Sequence, residues 1–153
     1  MTENPRLALS VRAPWWWAIL HCGKDIENRD WKPGNPARRF RGRCWLHASS
    51  WFDAEDVRDD WDTVCDLRPR PFDWTPHGNL TLGKLKEAGG HIVGSVEVAD
   101  LVTESSSRWF FGPLGLVLRN PIALPTPVRC KGALGFFEPA PEVTAQLQQK
   151  VAA

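Results

Sequence analysis

Apolar and polar positions alternate over residues 7–11, which predicts a short strand. Pro14 suits the first turn of a helix, where its missing N–H costs nothing. That helix runs through Trp15, Trp16, Trp17, Ala18, Ile19 and Leu20 and stops at Gly23, a residue suited to a left-handed C-terminal position. Trp15, Ala18, Ile19 and Cys22 share its inward face. Trp16 and Trp17 cannot both join them, so at least one is expected on a groove or the surface. Residues 25–31 read as extended, with Glu27, Arg29 and Trp31 on one face and Ile26 and Asn28 on the other. Lys24, at the mouth of this strand, can bend toward the Glu27 face.

After a Pro/Gly/Arg loop, residues 41–48 read as a strand with Cys44, Leu46 and Ala48 facing one way and Arg43, Trp45 and His47 the other. Asp53 is the expected N-cap of a second helix, on which Ala54, Val57, Trp61 and Val64 form an apolar stripe. Residues 66–78 are Pro-rich and turn-like, and a short third helix over about 80–88 ends at Gly89 and Gly90. A long strand is expected over 91–102 and two more over 114–119 and 133–138, the last two separated by a Pro-rich connection. Beyond Pro141 the pattern fits a short polar helix or a tail. About six short strands with helices inserted early describe an α+β domain: a closed or nearly closed sheet with two to three flanking helices, not a doubly wound fold. No repeat or boundary divides the 153 residues, so a single domain is expected, with its core over about 7–138 and a tail from 139.

Composition adds one anomaly: nine Trp and no Tyr, more indole than one small core needs, which leaves some rings for stacking. Net charge is +1, but it is unevenly placed. Residues 1–52 carry nine Lys/Arg against four acids, a surplus of five, and residues 53–66 carry seven acids against Arg58 alone, a deficit of six. The basic first third has the footprint of a polyanion-binding face; segregated surface charge is the alternative. Cys22, Cys44, Cys65 and Cys130 show no paired spacing, and His21, Cys22, Cys44 and His47 match no strong zinc signature, so neither disulfides nor a metal or other cofactor is expected. The N-terminal stretch lacks a signal-peptide pattern and no apolar run reaches membrane length, pointing to a reduced, cytoplasmic setting without a membrane partner. No heptad or exposed apolar stripe argues for a dimer, so a monomer is expected.

The densest chemistry is Gly23-Lys24-Asp25-Ile26-Glu27-Asn28-Arg29-Asp30-Trp31. Gly23, Lys24, Glu27 and Arg29 match the glycine-x-lysine-x-x-glutamate-x-arginine signature of ASCH domains, in the PUA-like superfamily, and the chain resembles that family. Leu9-Ser10-Val11 with Pro14-Trp15 resembles its opening strand and helix, and Gly90-His91-Ile92-Val93-Gly94 its long barrel strand. Trp109-Phe110-Phe111-Gly112-Pro113 and Lys131-Gly132-Ala133-Leu134-Gly135-Phe136 resemble its closing segments, so the similarity spans about residues 7–138. The resemblance implies a small PUA-like β-barrel with a cleft beside the first helix. It also implies binding of RNA or single-stranded nucleic acid, often through a pocket that reads a modified base. The branch it most resembles occurs in transcription coactivators and small stand-alone proteins.

A base needs a flat surface and edge-directed hydrogen bonds, and its backbone needs cations. Trp15, Trp31 and Trp109 are the stacking candidates, each equally able to serve the core. Arg12, Lys24 and Arg29 are expected on phosphate or a base edge, Ser10 and Ser49 as neutral partners, and Arg38, Arg39, Arg41 and Arg43 along the strand's path. Glu27 suits an exocyclic amine, or simply clamps Lys24 or Arg29. Two hydrolytic alternatives follow from the resemblance, because some small ASCH proteins remove the acyl group of N4-acetylcytidine and others are ribonucleases. Lys24 and Glu27 would be the catalytic residues of the first, although the amidohydrolases carry threonine where Glu27 stands, with Glu97 or Asp100 as the assisting acid. His47 would serve the second as acid or base. A protein-interaction adaptor, docking through residues 38–43 and the acidic helix, is the remaining alternative.

Overall fold

A computed structural model of the chain describes residues 4–152. Six strands and four α-helices follow one another as β1 (Ala8–Val11), α1 (Trp15–His21), β2 (Ile26–Arg29), β3 (Gly42–Ala48), α2 (Ala54–Leu67), α3 (Leu82–Glu87), β4 (His91–Val102), β5 (Leu114–Arg129), β6 (Phe136–Phe137) and α4 (Pro141–Ala152). The strands form one sheet in the order β2-β5-β4-β3-β1-β6, strongly curled and half open. Every pairing is antiparallel except β1 with β3. Its two end strands, β2 and β6, do not pair with each other, so the expected closure of the barrel is incomplete in the backbone. Side chains bridge the seam instead. Arg29 on β2 donates to the Ser10 carbonyl on β1 at 2.9 Å, and Phe136 on β6 packs against Trp31 and Phe40 at 5.9 and 4.3 Å between ring centroids.

Most elements follow the sequence pattern. Asp53 caps α2 by accepting from the Glu55 and Asp56 amides, and Val57 and Val64 are buried beneath it. Gly23, at φ +69, ends α1 in the backbone region that side chains disfavour. Two strands differ from expectation. β5 continues to Arg129 through Pro121, Pro125 and Pro127, where a connection was expected. The reason is that β2 covers β5 only over Leu114–Val117; beyond it one edge is free, and proline is tolerated on an edge. The last strand shrinks to Phe136–Phe137, because only Ala8 and Leu9 of β1 pair with it.

Both Trp16 and Trp17 are buried, against the expectation that one would face a groove; Trp15 is the half-buried one. Four of the seven residues of α1, Trp16, Trp17, Ala18 and Ile19, are buried, and the helix is covered on two sides. Leu9, Leu46, Val96 and Leu116 from inside the curled sheet share its core. On the other side, Trp17 meets Trp61 of α2 and Phe72, Trp74 and His77 of the Pro-rich segment, with ring centroids 5.0–6.3 Å apart. A second, smaller core lies on the outer face, where Val143 and Leu147 of α4 cover Ala8, Trp45, Ile92 and Val128. Residues 141–152 are thus a packed helix.

His21 closes the aromatic cluster with its ring 4.7 Å from that of His77. Burial, and then the neighbouring His77, pushes its pKa down from 6.5 to about 4. Between those values the unfolded chain binds the extra proton, so stability is lost as pH falls through this window. Water still reaches part of the ring, which reduces the contribution to about 1–2 kcal/mol. His21→Phe is expected to flatten the pH dependence of the unfolding free energy, measured in urea between pH 6.5 and 4, by that amount; an unchanged pH profile would assign the acid sensitivity elsewhere.

Cys22, Cys44, Cys65 and Cys130 are free thiols, and burial pushes those of Cys22 and Cys44 up to about 12. Among the described residues no cluster of three or more His, Cys, Asp or Glu could hold a metal ion, and no helix is long and apolar enough to cross a membrane.

Candidate functional site

The signature residues assemble around one carboxylate. β2 is extended, so Glu27 and Arg29 project from the same face, and the turn at Gly23 returns Lys24 toward them. Lys24 Nζ donates to Glu27 Oε1 at 3.1 Å and also to the Ile26 carbonyl. Arg29 Nη2 donates to Glu27 Oε2 at 3.0 Å and to the Ser10 carbonyl. Each carboxylate oxygen therefore holds one cation. Lys24 is only 3% exposed and Glu27 8%. Burial is the largest influence on Lys24 and lowers its pKa, with Glu27 opposing the shift.

Glu27 and Arg29 form part of the wall of an open cleft of about 1200 Å³. β1 contributes Ser10 and α1 contributes Trp15. Arg12, Ser49 and Trp51 line one part, and Arg129 at the end of β5 with Lys131, Gly132 and Leu134 of the loop after it line another. The Arg12 guanidinium lies 4.2 Å from the centre of the exposed Trp51 ring. Phe111, also exposed, meets Trp15 edge-on at 6.1 Å. Asn28 holds this side together: its amide donates to the Trp109 carbonyl, and its oxygen accepts from the Phe111 and Gly112 amides. The cleft offers four cationic side chains (Arg12, Arg29, Arg129, Lys131) and two acids (Glu27, Asp30), with flat apolar rings at its mouth.

Of the residues singled out in the sequence, Ser10, Arg12, Trp15, Glu27, Arg29, His47 and Ser49 line this cleft. Lys24 lies behind Glu27, and Trp31 stands beside the Arg29 guanidinium at 5.5 Å. Trp109 is buried in the main core. Arg39 is exposed on the turn Pro36–Arg39, and Arg41 pairs with Asp100 at 3.7 Å while donating to the Arg38 and Phe40 carbonyls. Arg38 and Arg43 are likewise tied to the backbone, at the Trp31 and Asn120 carbonyls. Sequence reasoning missed Trp51, next to Ser49, and Arg129 and Lys131, which reach the cleft from a distant part of the chain, as well as Phe111, which packs on Trp15. Asn28 was assigned to the opposite face of its strand; its side chain anchors a loop 83 residues away.

No protein-family model matches the chain, and no curated protein matches it.

Proposed function

We propose that this chain is an ASCH domain with a PUA-like partial barrel, and that its cleft binds RNA or another single-stranded nucleic acid. The observation that carries the reading is that one cleft holds the exposed Trp51 ring, with Arg12 stacked on it, together with further cations on Arg129 and Lys131. Bases stack on indoles in a sequence-tolerant way, whereas phosphates need mobile surface cations. Glu27 and Arg29 stand deeper, one acceptor and one donor side by side, suited to the edge of a single base. Glu27 would repel a phosphate, so the sugar–phosphate chain runs along the rim and the base points inward. The half-open curled sheet and the Gly23, Lys24, Glu27, Arg29 clamp support the family assignment. The domain acts as a monomer in a reduced, cytoplasmic compartment, which suits four free thiols.

Fluorescence anisotropy with short labelled RNA at several salt concentrations tests this. Trp51→Ala is expected to weaken binding about 5- to 150-fold, corresponding to about 1–3 kcal/mol of stacking. Lys131→Ala is expected to weaken all sequences alike and to lower the slope of affinity against salt by about one. Both side chains are exposed, so the fold should survive either change. RNA affinity indifferent to both substitutions would remove the cleft as the binding surface. Binding that proves confined to protein partners would favour an adaptor.

A further inference from the structure

Ser10 and His47 are register partners on the parallel strands β1 and β3, and their side chains meet on one face. Ser10 Oγ lies 3.0 Å from His47 Nδ1. The other ring nitrogen, Nε2, lies 2.7 Å from the Cys130 carbonyl oxygen. A carbonyl can only accept, so Nε2 carries the proton. Burial, the largest influence on this ring, holds its pKa below the usual histidine value. The imidazole is therefore neutral near pH 7, Nδ1 is a bare acceptor, and the serine hydroxyl is the donor. The direction of the whole chain follows: Ser10 O–H to Nδ1, and Nε2–H to the peptide oxygen.

Three features make this more than a buried polar contact. The ring is fixed in a slot: a Cβ at Gly132 would come within 2.5 Å of His47 Cε1, so the loop lies flat against the imidazole. Ser10 remains partly exposed and lines the cleft, whereas His47 is only 2% exposed. The Arg29 guanidinium, paired with Glu27, also donates to the Ser10 backbone carbonyl and so fixes the strand that carries the hydroxyl. A hydroxyl on a base that a third group orients is the arrangement of an activated nucleophile. The readings based on Lys24 or on a freely moving His47 lack this geometry, since Lys24 sits behind Glu27 and both His47 nitrogens are engaged.

We propose that Ser10 is a nucleophile, activated by His47, that accepts an acyl group from a carboxylic ester or amide bound in the cleft. Oγ bonds to the carbonyl carbon as its proton passes to Nδ1. The imidazolium, held by the Cys130 carbonyl, returns that proton to the departing oxygen or nitrogen as the bond to it breaks. Water then attacks the acyl-serine, giving its proton to Nδ1, and the carboxylic acid leaves as the serine hydroxyl is restored. No reactant other than water is required.

The test is independent of nucleic-acid binding. The full chain is treated with p-nitrophenyl acetate and, separately, with a fluorophosphonate, and the modified residue is located by peptide mass spectrometry. Acetyl and phosphonyl groups are expected on Ser10, with a burst of nitrophenolate that disappears in Ser10→Ala. His47→Gln is expected to slow labelling about 100-fold, the usual worth of a general base. Because His47→Gln can disturb the fold, its urea midpoint is compared with that of wild type, and the smaller change Ser10→Ala carries the decision through the lost adduct and burst. No adduct on Ser10 in the wild-type protein, or equal turnover by Ser10→Ala, would overturn the proposal. Either result leaves the RNA-affinity experiment unaffected.

Discussion

Glu27→Ala is expected to cost about 3–5 kcal/mol of folding stability, far more than a surface ion pair contributes. The reason is the company Glu27 keeps. Lys24 is 3% exposed, and its ammonium has the Glu27 carboxylate and the Ile26 carbonyl as partners. Removing the carboxylate leaves a buried cation with a peptide oxygen alone, beside the positive charge of Arg29. Equilibrium urea unfolding near pH 7 measures the cost. The loss should shrink as pH rises toward the ordinary lysine value of 10.5. With its folded pKa lowered, Lys24 binds the extra proton in the unfolded state across that window, so stability rises with pH there. Lys24→Met added to Glu27→Ala should recover much of the loss, because the buried charge is then gone from both states. A cost under about 1 kcal/mol for Glu27→Ala would mean that the clamp behaves like a surface pair.

Trp17→Ala is expected to cost a further class of energy, about 3–5 kcal/mol from a lost large ring and the cavity it leaves. Trp17 is 4% exposed and touches rings from three parts of the chain: His21 on its own helix, Trp61 on α2, and Phe72, Trp74 and His77 in the Pro-rich segment. His21 also joins that segment to α1, at His77 alone, whereas Trp17 meets three of its rings. The substitution should therefore also raise proteolytic cleavage within residues 68–78 at denaturant concentrations where the sheet survives. A small loss of stability with no change in cleavage would show that the remaining rings collapse into the space.

The sequence was most legible where one rule acted alone. The Asp53 cap, the Val57 and Val64 stripe and the period-two faces of β2 each depend on neighbours a few residues away. The same local logic brought Lys24, Glu27 and Arg29 together. It failed where burial is decided by distant chain. Trp16 and Trp17 could not be placed from helical spacing, because the second covering layer comes from residues 61–77. Pro121, Pro125 and Pro127 read as a break because nothing in the local sequence shows that this stretch of β5 has a free edge. The cleft was half legible for the same reason. Its floor comes from contiguous early segments, but Arg129 and Lys131 reach it only through the curl of the sheet, as Phe111 reaches Trp15.

The unclosed seam between β2 and β6 has a consequence for how such a cleft can diversify. Around most of the sheet, spacing is set by backbone hydrogen bonds at about 4.8 Å, which no substitution can alter much. Across the seam it is set by the reach of Arg29 to Ser10 and by the thickness of Trp31, Phe40 and Phe136. Exchanging a ring there for a smaller or larger one would narrow or widen the binding space while leaving every ladder intact. The width of the cleft is thus an adjustable dimension, written in a handful of side chains.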